Sequence, residues 1–201
     1  MSLIHLHPLA ITTICESETK LRHGGTRLSS NAVLIGLLFG TMEEETRMIH
    51  LHYAMEAIYQ CDPHQQEPVL NLSKIAERKS LWCTVNPSHI LMGWYSTDTI
   101  LQSWHMNLHQ QIISSLLFHS DPLFLLMTPD FNANSRILPI KIFHMVTKDD
   151  SSMEFQPLKY QLDGLLAEKV ALDEVVKSVP SHGRSAGKPS PERTPNHVLH
   201  S

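Results

Sequence analysis

Fourteen histidines in 201 residues are the first candidates for chemistry in this chain. An imidazole can ligate a metal or carry a proton near neutral pH. His5 and His7 stand two apart, as do His50 and His52, so on an extended strand each pair shares a face; His105 and His109 stand one helical turn apart. Each pair supplies only two ligands, and no cysteine or acidic residue sits at a supporting spacing. The ordinary reading is solvated or hydrogen-bonded histidines, with no metal and no cofactor expected. Cys15, Cys61 and Cys83 are scattered and odd in number. They read as reduced thiols of a cytosolic or nuclear protein.

A second candidate is the run Gly93-Trp94-Tyr95-Ser96-Thr97-Asp98. It follows the apolar His89-Ile90-Leu91-Met92 and reads as the end of a buried strand. Met92, Trp94 and Trp104 read as core residues.

The elements around these residues follow from periodicity. After an extended Leu3–Leu6, Pro8 suits the first turn of a helix that runs through Leu9, Ile11, Ile14 and Cys15 and stops at Gly24-Gly25. Residues 32–40 form a nearly unbroken apolar strand, followed by a polar turn at Glu43-Glu44-Glu45. Residues 47–53 alternate as a half-buried strand. A helix is expected over 70–85, with Leu72, Ile75, Ala76, Leu81 and Trp82 on one face. A second covers 103–118, with Leu108, Ile112, Leu116 and Leu117 on its apolar stripe. Strands follow at 123–127, 137–146 and 153–162, then a final helix over 164–177. Interleaved strands and helices predict a mixed α/β domain.

Composition narrows the function classes. Hydrophobic residues make up 42% and charged residues 18%, the balance of a chain with a packed core. A formal net charge of −4 argues against a broad nucleic-acid footprint. The apolar stretch 112–126 is interrupted by Ser114, Ser115, His119, Ser120 and Asp121, so no membrane span is expected. The first residues have neither a charged region nor a long apolar run, and secretion is not expected.

Several fragments, in order, resemble the MPN (JAMM-like) family. His7-Pro8-Leu9 opens the first helix, Val33 to Gly40 is similar to its glycine-spaced first core strand, and Gly93-Trp94-Tyr95 is similar to its strand end. The segments at 121–129, 138–143 and 167–173 look most like the non-catalytic MPN subunit of the signalosome, the deneddylase complex related to the proteasome lid. The resemblance covers roughly residues 3–177 and implies a mixed, curved β-sheet flanked by helices. Such subunits continue beyond that span into a helical region that joins a shared bundle.

In catalytic members a glutamate precedes the first strand glycine by three residues; that position is Val33. Their two zinc histidines fall at Ser96 and Asp98, their serine at Met106 and their zinc aspartate at His109. A hydrolytic zinc needs three protein ligands, an open position for water and a nearby base. Val33 cannot take a proton and neutral Ser96 is a poor ligand, while Asp98 and His109 keep atoms suited only to weak incidental binding. The resemblance thus implies a non-catalytic scaffold, cytoplasmic and nuclear, that pairs with a catalytic MPN-domain subunit within a multi-subunit complex. Neither nucleic acid nor membrane is expected to contact it. Leu9 and Ile11 on the first helix, with Leu108 and Ile112 on the 103–118 helix, are the expected partner-binding positions; the bland alternative is that both stripes pack on the domain's own sheet. Within the family, the f subunit of translation initiation factor three and the non-catalytic lid subunit stay open. So does a divergent zinc isopeptidase from outside the scaffold class.

From residue 179 the chain turns rich in Ser, Gly and Pro and poor in apolar residues. Two regions are expected: an MPN-like domain over 1–178 and a disordered tail over 179–201. Deleting 179–201 should leave the thermal midpoint, followed by circular dichroism, nearly unchanged. A large drop would place Val198-Leu199 or its neighbours on the domain.

Overall fold

In chain order the elements are β1 (Ile4–Leu6), α1 (Pro8–His23), β2 (Ile35–Met42), β3 (Ile49–Glu56), β4 (Tyr59–Cys61), β5 (Pro68–Leu70), α2 (Leu72–Val85), β6 (Ile90–Thr97), α3 (Ser103–Ser115), β7 (Leu123–Met127), β8 (Ile140–Thr147), β9 (Met153–Leu158) and β10 (Tyr160–Leu162). They belong to a computed structural model that describes residues 3–23, 33–61, 67–116, 121–128 and 138–164, with 170, 174 and 175. The expected tail lies outside the described residues. Of the expected final helix, residues 170, 174 and 175 are described, and all three are helical.

Eight strands form one sheet in the order β10-β1-β3-β2-β6-β7-β8-β9, and β4 and β5 make a separate small hairpin. The pairings β10–β1, β1–β3 and β6–β7 are parallel; the rest are antiparallel. β9 and β10 sit at opposite ends of this order, yet only Lys159 separates them in the chain. The Cα atoms of Leu158 and Tyr160 are two steps along the chain, within ~7 Å of each other. The sheet therefore curls until its two edges come together.

The curl divides the interior. One cluster joins Ala10, Ile11, Ile14 and Cys15 of α1 to Leu38, Leu51, Tyr95, Leu125 and Ile142 of the sheet. The other joins Ile75 of α2 and Trp104, Leu108 and Ile112 of α3 to Phe39, Trp94, Phe124 and Phe155. Alternation along the strands sends consecutive residues to opposite clusters.

Local signals set the helix ends. α1 starts at Pro8, where the His7 ring accepts the Leu9 backbone N–H at 3.2 Å. At α2, Asn71 Oδ1 accepts the Lys74 N–H at 3.2 Å. That helix stops at Asn86, whose N–H returns to the Trp82 carbonyl at 2.8 Å. Its expected apolar face is only partly realised: Ile75 is buried, but Leu72 and Ala76 are exposed and Leu81 is 63% exposed. α2 lies on the rim of its cluster, where one buried residue per few turns suffices.

Close approach in the sheet depends on glycine. A Cβ on Gly93 would stand 2.1 Å from the Leu123 carbonyl oxygen, and on Gly40 1.9 Å from that of His50. Backbone on both sides cannot yield. Gly93→Ala should lower unfolding free energy by about 1–3 kcal/mol or more, measured by urea denaturation; an unchanged midpoint would show that β6 and β7 can separate at no cost.

Candidate functional site

The five positions implied by the resemblance lie on or near the α3 side of the central strands. Ile35 pairs with Ser96, and the Thr97 N–H reaches the Leu34 carbonyl at 2.9 Å, so Val33 lies at the level of Asp98. Val33 is half-buried, and its carbonyl accepts the Tyr59 hydroxyl. Met106 packs, partly buried, against the Trp94 and Phe124 cluster. Ser96, Asp98 and His109 are buried.

Both oxygens of Asp98 are already engaged. Asp98 Oδ1 accepts the Thr99 N–H at 2.6 Å, and Oδ2 accepts the Gln102 side-chain amide at 2.7 Å. His105, on the first turn of α3, accepts the Gln102 backbone N–H at Nδ1, 2.9 Å away. With Nδ1 accepting, Nε2 carries the proton. It points at the Ser96 hydroxyl, 3.3 Å away, with Asp98 Oδ2 at 3.9 Å.

His109 is fixed by a different donor. The Trp94 indole N–H donates to its Nδ1 at 2.8 Å, and Phe155 stands edge-on to the ring at 5.1 Å. Indole nitrogen can only donate, so His109 Nδ1 must accept and Nε2 must hold the proton. That Nε2–H is buried with no partner among the described residues. To ligate a metal, Nε2 would shed its proton and Nδ1 would take one, setting N–H against N–H. The residues here do not fit a zinc site. Among the described residues the one cluster of three potential ligands lies elsewhere, at His5, His50 and Asp163.

The other face of β6 carries a second polar network. Thr97 Oγ1 accepts the Leu34 N–H at 2.9 Å and donates to Glu18 Oε2 at 2.8 Å. Glu18 is fully buried, and Arg22 reaches its Oε1 at 2.6 Å. Cys15, one turn earlier on α1, has its thiol pushed up to about 12, first by burial and then by Glu18. It is an inert core thiol.

The sequence reading singled out Ser96, Asp98 and His109 but not Gln102, the Trp94 N–H or Glu18. His105 entered only as half of a histidine pair. The signal for Glu18 was available: it continues the stripe Ile11, Ile14, Cys15 at seven residues from Ile11, an acidic group on an apolar face. The expected partner-binding positions need correction. Ile11, Leu108 and Ile112 are buried in this chain's own clusters, at 0–3% exposure. Their stripes pack on the sheet, and only Leu9, 51% exposed, faces outward.

No family model matches the chain. It is similar to COP9 signalosome complex subunit 6a of Arabidopsis thaliana, 24% identical over 201 residues covering 90% of this chain and 61% of that protein. It is also similar to COP9 signalosome complex subunit 6 of Dictyostelium discoideum, 24% identical over 187 residues, with 92% and 57% covered. With the Drosophila melanogaster subunit 6 it shares 26% identity over 179 residues, with 87% and 49% covered. The chain thus spans about half to three-fifths of the length of these relatives. They agree with the resemblance read from its segments, to the MPN family and within it to the signalosome's sixth subunit. The mixed α/β, curled and helix-flanked sheet is of that type.

Both buried rings titrate abnormally. Burial drives His105 down to about 4, against the raising pull of Asp98 and the Gln102 backbone. It drives His109 down to about 4, against Asp121. The unfolded chain takes up these protons near 6.5 and the folded one refuses them until about 4. Stability from the neutral rings is therefore full above pH 6.5 and lost as pH falls toward 4. At pH 5 each ring accounts for about 2 kcal/mol of that loss. His109→Gln keeps a neutral acceptor for Trp94 and removes one titration. The fall in urea-unfolding free energy between pH 7 and pH 5 should shrink by about 2 kcal/mol; an unchanged fall would mean that His109 is not the titrating group.

Proposed function

We propose that this chain is a non-catalytic MPN scaffold domain of a signalosome-type complex. It pairs with a catalytic MPN-domain subunit and supports removal of a ubiquitin-like modifier from cullins. The Trp94–His109 hydrogen bond carries this reading. It uses up the nitrogen lone pair at the position where catalytic relatives hold zinc, and turns the site into packed core. Asp98, with both oxygens occupied, and Val33, with no proton acceptor, point the same way. The names of the relatives favour the signalosome over initiation factor three and the proteasome lid. Such a role places the chain in cytoplasm and nucleus without direct contact to nucleic acid or membrane. No described helix is long and apolar enough to cross a membrane.

The positions left for pairing are those that α1 and α3 expose, Leu9 and Ile113, 51% and 44% accessible. Affinity purification from cells should recover a catalytic MPN-domain subunit with further signalosome subunits. Leu9→Glu with Ile113→Glu should reduce that recovery more than about tenfold while the thermal melt stays unchanged. Recovery of initiation-factor or lid subunits instead would reassign the complex, and undiminished pairing would move the interface. Chelator-sensitive cleavage of ubiquitin-like conjugates by the purified chain would overturn the non-catalytic reading.

A further inference from the structure

The histidines of the first strands converge on one surface. β1 and β3 are parallel and in register, His5 opposite His50, with Ile4 and Leu6 turned to the α1 cluster. The two imidazoles therefore share the opposite face, stacked at 4.8 Å. On the other side of β1 runs β10, and beyond its end the Asp163 N–H bonds the Leu6 carbonyl at 2.9 Å. Alternation turns the Asp163 side chain to the face of His5.

From this juxtaposition we infer that His5, His50 and Asp163 form a binding site for a divalent transition metal, zinc or cobalt, on the outer face of the sheet. One ligand atom from each residue lies within 4.8 Å of the others. Ligands around a tetrahedral zinc stand ~3.4 Å apart, at bond lengths of ~2.0–2.2 Å. Closing the set takes shifts of about an ångström in side chains that are all partly exposed, with no backbone change. Two imidazoles and one carboxylate suit zinc and its neighbours rather than calcium or magnesium, and leave a fourth position for water.

The hydrogen bonding around the cluster supports this. Asp163 Oδ1 accepts the Gly164 N–H at 2.9 Å, while Oδ2 faces His50 Nδ1 at 3.7 Å. Nε2 of His5 and of His50 are buried without a hydrogen bond among the described residues. Glu43 lies 3.7 Å from His50 Nε2, where a carboxylate would orient a ring ligating through its other nitrogen. By contrast His7 and His52 are engaged, by the Leu9 N–H and the Thr41 hydroxyl. This revises the expectation of no metal: an acidic partner exists, 113 residues beyond His50, and only the topology brings it in.

The test uses the full 201-residue chain, purified without a polyhistidine tag, stripped with chelator and titrated with cobalt(II) and then zinc. The expected result is one equivalent of cobalt with tetrahedral visible absorption, displaced by zinc. His50→Gln and Asp163→Asn, both at partly exposed sites, should each weaken binding by at least tenfold with unchanged circular dichroism. Absence of one-equivalent binding, or affinity unaffected by either substitution, overturns the site. So does loss of binding in Asp98→Asn rather than in Asp163→Asn, which would place the ion at the central strands.

Discussion

Strand β6 has hydrogen-bonded strands on both sides and packed layers on both faces, so the polar side chains of Trp94, Ser96 and Thr97 are answered from inside the protein. The strand alternates Trp94 and Ser96 toward α3 with Tyr95 and Thr97 toward α1. Each face answers with one helix. α3 supplies His105 and His109 one turn apart, matching residues two apart on the strand. α1 supplies Glu18, neutralised by Arg22 four residues later. The docking angles of both helices are thus fixed by hydrogen bonds as well as by apolar contact.

The two networks differ in chemistry. Glu18 is a buried charge, tolerable because Arg22 and the Thr97 hydroxyl surround it. His105 and His109 are neutral and act as acceptors toward Gln102 and Trp94. Neutral rings cost far less to bury than ions. A ring that must accept from indole has no lone pair to spare.

Most of the element order was legible because long apolar runs and strict alternation leave little choice. β7 matches its expected limits, and β6 runs two residues past Gly93-Trp94-Tyr95, to Thr97. The expected strand over 153–162 proved to be two strands on opposite edges, since alternation says nothing about where a strand changes partner. The β4–β5 hairpin was too short to register. The resemblance drew attention to Ser96, Asp98 and His109, but their hydrogen-bond partners were not legible. Gln102 and His105 act through a helix cap, and Trp94 looked like core because its body is core. Asp163 was out of reach for another reason: its neighbours are set by the pairing of β10 with β1, a contact across some 155 residues.

The meeting of the two sheet edges at Lys159 also bears on how the chain folds and what it can stick to. Exposed strand edges invite addition of foreign strands; here the two edge strands, β9 and β10, meet at the corner formed by Lys159 rather than at the far ends of a flat sheet. During synthesis the edge of β1 that β10 covers has no partner until residues 160–162 have left the ribosome. Contacts of such separation slow folding and prolong exposure of the apolar interior. A nascent chain halted before β10 would present the edge of β1 that the complete domain covers.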